Sequence, residues 1–265
     1  MSECVLTTIN AGIGSIVLNR PDKANALDQA SVAALRNAID RICADRSVRV
    51  VLIRATGKTF CSGGDISNFK SNIDGLAPML EGLLGPLNEV ILKLANMPVP
   101  VISVLNGPVG GGGIGLALVA DFVLAAQSMK LRGGYSAIGL TPDVGSSWFL
   151  TRRVGPARAR EIFILNRPVN ADDCLASGVV DAIYPDDQLA FEADKLAESI
   201  AAGAAKSIAR IKALVNGASQ RTLHEQLALE REYMVASGDS ADAREGITAF
   251  LEKRAPRFGP GGSPV

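Results

Sequence analysis

Residues 101–117, VISVLNGPVGGGGIGLA, constrain the fold more than any other part of the chain. An uncharged, β-branched run leads into four consecutive glycines, Gly110 to Gly113, and then into an apolar segment carrying Gly115. Such a run reads as a strand covered on at least one face, and the glycines read as a tight turn opening a short helix. Strand, turn and helix in that order predict an α/β architecture. Gly110, Gly112 and Gly115 also meet the G-x-G-x-x-G spacing of dinucleotide-binding turns. The acid expected about 20 residues further on is missing, since residues 131–135 read LRGGY. No Gly-Lys-Ser/Thr follows the glycines, so a P-loop is excluded as well. What remains is backbone: amides without side chains that can approach a bound oxygen closely at a helix start, the chemistry of an oxyanion hole. Close helix–strand packing is the other use of the same glycines.

The remaining pattern supports one α/β unit. Runs at residues 4–9 and 15–19 flank Ala11-Gly12-Ile13-Gly14, a hairpin signal. Asp28 is an N-cap for a helix with Val32, Leu35, Ile39 and Ile42 at helical spacing. Residues 48–54 predict a strand, 77–96 a helix, and 99–105 and 121–125 further strands. From Ser146 the pattern is chiefly helical, with a short strand at 179–184 and three long helical stretches over 186–254. No repeat or linker divides the chain, so residues 1–200 form the expected α/β core and 201–265 a helical region with a fraying Pro/Gly tail.

Charge and residue counts remove several functions. The chain of 265 residues carries 27 Lys plus Arg against 27 Asp plus Glu, and one histidine. A zero balance offers no basic field for nucleic acid or anionic membrane. His224 lies in a charge-rich helical context and reads as a solvated residue rather than a base. Residues 134–138, GYSAI, lack the closing glycine of a nucleophile elbow, which argues against a serine triad. The cysteines Cys4, Cys43, Cys61 and Cys174 form no C-x-x-C pair, so no metal site is expected. No signal-peptide pattern or membrane-length apolar run is present, and a cytoplasmic location is expected.

Two further segments give the glycines a context. Residues 60–66, FCSGGDI, follow the strand at 48–54 and present a second small-residue loop, and residues 18–27 read LNRPDKANAL. With the glycine segment and a C-terminal stretch, ADAREG through FLEKR (241–254), they make the chain resemble the enoyl-CoA hydratase/isomerase (crotonase) superfamily over nearly its whole length. The resemblance implies a spiral of β-β-α units with a C-terminal helical trimerisation region, assembled as a homotrimer or a hexamer of two trimers. It implies an acyl-CoA thioester as substrate, with coenzyme A as part of the substrate and no separate cofactor. It places the two oxyanion amides at Ser62 and Gly112, each contributing roughly 3 kcal/mol by analogy with other oxyanion donors. It assigns Lys23, Ala24, Ala26, Asp65 and Ile66 to coenzyme A binding, and Phe250 and Lys253 to closing the site from the same or a neighbouring subunit. For Asp65 and Phe250, ordinary turn and helix roles are the competing reading.

The reaction depends on the acid/base groups, which vary on this scaffold. The resembling hydratases use two glutamates, and the matching positions here hold Gly115 and Tyr135, so hydratase activity is expected to be weak or absent. Asp143 matches the single carboxylate of the isomerase branch, and residues 135–150 are similar to phenylacetate-pathway epoxide isomerases and Δ3,Δ2-enoyl-CoA isomerases. One carboxylate suffices to move a proton between two carbons of a thioester enolate, and an apolar pocket would raise its basicity. Ala137, Ile138, Leu140, Val144 and Trp148 are the expected walls. Three alternatives stay open. Asp143 can instead cap the helix starting at Gly145 or Ser146. It can act as a nucleophile, as in the related aroyl-CoA dehalogenases, although Asn88 stands where those enzymes have a histidine. Thioester hydrolysis, lyase chemistry or acyl-CoA binding without turnover would also use this loop. Asp121 reads as structural.

Overall fold

The computed structural model describes residues 3–259; residues 260–265 of the tail expected to fray lie outside that range. The chain opens with β1 (Val5–Asn10) and β2 (Ile13–Leu18), paired antiparallel with Asn10 opposite Ile13. The turn is therefore two residues, Ala11 and Gly12, both at positive φ (49° and 79°), the backbone sense that continues the strand twist. β2 starts at Ile13, two residues earlier than the sequence pattern suggests, because so short a turn brings Ile13 and Gly14 into the ladder.

After β2 come α1 (Gln29–Ala44), β3 (Val50–Ala55), α2 (Ile66–Ser71) and α3 (Leu76–Ala95). Asp28 caps α1 as expected: its side chain accepts from Ser31 N–H while Ser31 Oγ accepts from Asp28 N–H, a reciprocal box. Next follow β4 (Val101–Leu105), β5 (Val109–Gly110), α4 (Gly113–Leu118), β6 (Phe122–Ala126) and β7 (Lys130–Arg132). The second half contains α5 (Ser146–Arg160), β8 (Val169–Asn170), α6 (Ala171–Ala176), β9 (Ala182–Tyr184), α7 (Leu189–Ala201), α8 (Ala205–Gly217), α9 (Leu223–Gly238) and α10 (Ala241–Glu252).

Six strands form one sheet in the order β1-β2-β3-β4-β6-β9, parallel from β2 onward. Its central strands are apolar on both faces. Val51, Ile53, Val101, Leu105, Val123 and Ala125 join the main core with α1, α3 and α4, whereas Val50, Leu52, Ile102, Val104, Leu124 and Ala126 pack on Leu189, Ala193 and Ala197 of α7. Helical cover on both faces explains why β4 carries no charge. A small second sheet, β5-β7-β8, emerges beside the first. It brings the glycine turn next to the loop after β3 through a bridge between Cys61 and Val109.

Several expectations need correction. Residues 186–254 hold four helices, not three: Ala202 to Ala204 separate α7 from α8, and capped starts at Thr222 and Ser240 divide the rest. The strand expected at 179–184 is only Ala182–Tyr184, because Val179 and Val180 fold back with their amides on Cys174 O. The helix from Ser146 is interrupted at Gly155 (φ 77°, ψ 164°) and passes into a π-helical turn at Glu161–Leu165. Asp121 is structural as expected: its carboxylate accepts from Val101 N–H and from Lys212 Nζ, both at 2.7 Å, tying α8 to β4.

Candidate active site

The segment carrying Lys23, Ala24 and Ala26 runs beside the segment carrying Ser62 and Asp65. Leu27 N–H donates to Gly63 O at 2.7 Å and Asp65 N–H returns to Leu27 O at 3.0 Å. Ala24 and Asn25 both adopt positive φ (50° and 52°), a rare backbone for residues with a Cβ. Asn25 holds this shape from inside: buried, it accepts from Arg20 N–H and donates to Thr56 O and Thr59 O. Asp65 is also occupied. Its carboxylate caps α2 through Ser67 N–H and Asn68 N–H and lies 3.4 Å from Lys23 Nζ. These hydrogen bonds, with that of the Ser67 hydroxyl foremost, hold its pKa below the usual carboxylate range. Ile66 is half exposed at the start of α2.

The glycine turn interlocks with this loop. Gly110 N–H donates to Cys61 O at 2.9 Å, and a Cβ placed on Gly63 would lie 3.1 Å from Gly112 N. A Cβ on Gly113 would lie 2.5 Å from Cys61 O, so only glycine allows the approach. Ser62 and Gly112 thus stand on adjacent loops. Gly112 N–H has no acceptor among the described residues. Ser62 N–H donates to Ala24 O at 3.1 Å, so a ligand oxygen would share or displace that carbonyl. Cys61 is fully buried and its thiol is pushed up to about 12, by burial first and in smaller part by the nearby Asp143 charge.

Asp143 faces the same turn. A Cβ on Gly112 would lie 3.1 Å from Asp143 Oδ1. The N-cap reading fails on geometry: Gly145 (φ 73°) is the cap residue of α5, with no side-chain cap bond, and Asp143 contributes only its carbonyl, to Ser146 N–H. The turn is made by Val144 at φ 54° followed by Gly145. A β-branched residue in the left-handed region costs of order 1–3 kcal/mol. Its conformation presses the Val144 side chain toward Gly112 and its carbonyl toward Gly115, and Val144 is 3% exposed. Asp143 Oδ1 accepts from the Tyr135 hydroxyl at 2.6 Å. Burial raises the Asp143 pKa above the usual aspartate value, with the Tyr135 hydrogen bond opposing it. The Tyr135 phenol is pushed well up, chiefly by burial and then by the Asp143 charge, so it stays protonated at neutral pH.

The structure therefore brings together Ser62, Gly112 and Asp143, with Lys23, Ala24, Ala26, Asp65 and Ile66 on the adjoining loop. Phe250 and Lys253 sit apart, on α10 and at its end; Phe250 is 82% exposed, and α10 packs on α9. The expected apolar walls are only partly such. Val144 is buried, but Ile138 and Trp148 are half exposed, and Arg152 lies over the indole, 4.3 Å from the ring centroid. His224 is exposed near the start of α9, and Asn88 is exposed on α3. Sequence reasoning missed Ser146, which is fully buried and bonds both Gly115 N–H and Tyr135 Oη at 3.1 Å. It also missed Asn166, at φ 53°, which accepts from Gly134 N–H and so fixes the approach to Tyr135. An asparagine flanked by helix and strand signals was the available hint.

Interlocked glycine loops around one partly buried carboxylate, on a largely parallel sheet, define a crotonase-type α/β enzyme. A family model described as enoyl-CoA hydratase/isomerase matches residues 8–261. The chain is 36% identical over 259 residues to 1,2-epoxyphenylacetyl-CoA isomerase of Escherichia coli (strain K12), covering 97% of this chain and 99% of that one. It is 29% identical to trans-2-decenoyl-acyl-carrier-protein isomerase of Streptococcus mutans, covering 96% and 97%. The crystal structure of an enoyl-CoA hydratase from Polaromonas sp. JS666 superposes with a TM-score of 0.91 at 32% identity, over 96% of this chain and 99% of that one. The chain belongs to the enoyl-CoA hydratase/isomerase family. Among the described residues no helix is long and apolar enough to cross a membrane.

Proposed function

We propose that the protein is an acyl-CoA isomerase in which Asp143 shifts a proton, and with it a carbon–carbon double bond, through a thioester enolate. The carrying observation is a partly buried carboxylate, Asp143, set against Gly112 where the expected hydratase position, Gly115, has no room for a side chain. Gly112 N–H and Ser62 N–H would hold the thioester oxygen as charge develops on it. Asp143 takes the proton from one carbon and returns it to another two bonds away, ending in its starting state. Burial supports this role because a more basic carboxylate is a better acceptor. Two relatives named as isomerases support the same choice, while the structural neighbour named as a hydratase shares the scaffold. Lys23, Ala24, Ala26, Asp65 and Ile66 would receive the coenzyme A end of the substrate.

The chain is further proposed to assemble as a homotrimer or a hexamer of two trimers. Leu223, Leu227, Met234, Ile247, Phe250 and Leu251 all leave more than half their surface exposed on α9 and α10, apolar surface of the kind that subunit contacts cover. Phe250 and Lys253 would then meet a neighbouring subunit's site. Sedimentation at micromolar concentration tests the assembly, and a monomer overturns it.

The reaction is tested by following 3-enoyl-CoA and 2-enoyl-CoA with wild type and Asp143→Asn, together with solvent deuterium uptake into the acyl chain. Isomerisation and exchange by the wild type, lost in the variant, are expected. Binding of CoA esters without any exchange would make this a binding protein and not an enzyme. Full activity in Asp143→Asn would move the base elsewhere.

A further inference from the structure

A chain of hydrogen bonds runs from the buried interior to the carboxylate of Asp143. Gly115 N–H donates to Ser146 Oγ at 3.1 Å, Ser146 Oγ lies 3.1 Å from Tyr135 Oη, and Tyr135 Oη donates to Asp143 Oδ1 at 2.6 Å. A phenol has one proton to donate, and here it is donated to the carboxylate. The proton between the two hydroxyls therefore belongs to Ser146, whose longer alternative acceptor is Gly111 O at 3.5 Å. Every link donates toward Asp143. Ser146 is fully buried and Tyr135 is 6% exposed, so the two inner links are shielded from bulk water and strengthen the last, part-buried one.

The phenol is fixed at both ends. Behind it, Gly134 N–H is held by Asn166 Oδ1 at 2.7 Å, Tyr135 O accepts from Leu140 N–H, and the Phe163 ring packs 6.0 Å away at 58°. In front, its hydroxyl is held by the Asp143 and Ser146 side chains. The chain also starts on α4, the helix whose cap residue Gly112 supplies the proposed oxyanion amide. One short helix thus anchors both the donor that would hold the negative charge and the group that would move the proton.

The carboxylate is left asymmetric. Oδ1 is engaged by Tyr135, whereas Oδ2 accepts from no other described residue. The titratable groups facing Asp143 are the Tyr135 phenol and the Cys61 thiol, both neutral at pH 7, and no cation contributes. Burial therefore raises the proton affinity of Asp143, and the phenol, with a smaller part from Asp143's own backbone N–H, opposes it.

We propose that Tyr135, seated by Ser146, is a positioning residue that locks Asp143 Oδ1 and leaves Oδ2 as the one oxygen that carries the proton. The proposal rests on the isomerase reading. In the forward step a C–H bond breaks, its electron pair enters the thioester enolate, and the proton forms Oδ2–H. In the return step Oδ2–H breaks and a C–H bond forms two carbons away, with the double bond displaced and Asp143 ionised again. The Tyr135 proton stays on the phenol throughout. Holding one oxygen in one orientation serves a shift between two carbons of the same chain, because the carboxyl must reach both without rotating.

Tyr135→Phe removes only the hydroxyl, and Ser146→Ala removes only its supporting link. Two readouts are taken on each: the pH dependence of kcat and KM with 3-enoyl-CoA, and the Asp143 carboxyl titration followed by ¹³C NMR without substrate. Tyr135→Phe is expected to lower kcat by about 10–100-fold, the worth of one hydrogen bond to a charged group, with KM changed less than about threefold. Both the acid limb of the kcat profile and the NMR titration should move to higher pH. Ser146→Ala should move both in the same direction by less. An unmoved carboxyl titration in a folded Tyr135→Phe protein, or a kcat loss with an unshifted profile, overturns the proposal and leaves Tyr135 a packing residue. Failure of the isomerase reading is seen separately, as a wild type that moves no proton while its carboxyl titration still responds to Tyr135→Phe.

Discussion

A Cβ on Gly115 would stand 1.9 Å from the carbonyl oxygen of Val144. That overlap is with backbone, so a rotamer change cannot relieve it. It links the missing carboxylate at 115 to the presence of Asp143: the turn that aims Asp143 at Gly112 fills the space a side chain at 115 would need. Gly115→Ala should therefore cost more than about 3 kcal/mol, beyond ordinary core overpacking, in urea unfolding. Gly115→Glu should fold poorly and gain no water addition to 2-enoyl-CoA. A stable Gly115→Glu protein with hydratase turnover would show that the turn yields.

Asp143→Asn separates charge from shape. Burial raises the folded-state pKa of Asp143 above its unfolded value, so the protonated form is favoured in the fold. Its stabilising effect is fully present below the unfolded pKa and is lost as pH rises through the raised folded pKa. At pH 7 Asp143→Asn should accordingly be more stable than wild type while inactive, and the difference should shrink as pH falls through the raised folded pKa towards the unfolded value near 4. Thermal unfolding across that range checks the sign.

Asp65 gives the opposite dependence. Its hydrogen bonds with Ser67, Asn68 and Lys23 depress its pKa, so its contribution is present above the unfolded pKa and is lost as pH falls through the folded one. Asp65→Ala should cost about 1 kcal/mol through the α2 cap and weaken binding of CoA esters more than it slows proton transfer. Unchanged stability would remove the cap as its main role.

Lys212 and Asp121 form an ion pair with side chains 9% and 18% exposed. Lys212→Met should cost about 2 kcal/mol in urea unfolding, below the fully buried limit because Asp121 keeps some solvent. Deuterium exchange into the acyl chain should be unaffected per folded molecule. A specific loss of exchange would bring Asp121 into the chemistry.

Much of the scaffold was legible because its causes are local. The Asp28 cap, the β1–β2 turn and the charge-free run of β4 each follow from a few neighbouring residues. The corrections came where length and contacts at a distance decide. Gly155 and the π-helical turn break a pattern that reads as one helix, and Thr222 and Ser240 cap helices that run together in hydrophobic periodicity. At the site, spacing alone left a helix-cap role open for Asp143 beside the favoured role of base. Ser146 left no mark in the sequence, because its partners at Gly115 and Tyr135 are 31 and 11 residues away.

By itself the sequence determined the family, the α/β order of elements and the residue types at the site, since motif spacing and periodicity are properties of the chain. Only the tertiary structure decided where Asp143 sits. The left-handed turn at Val144 carries it off the helix start and against Gly112, where burial raises its basicity and Tyr135 claims one of its oxygens. Neither effect exists until segments distant in sequence exclude water from the same place.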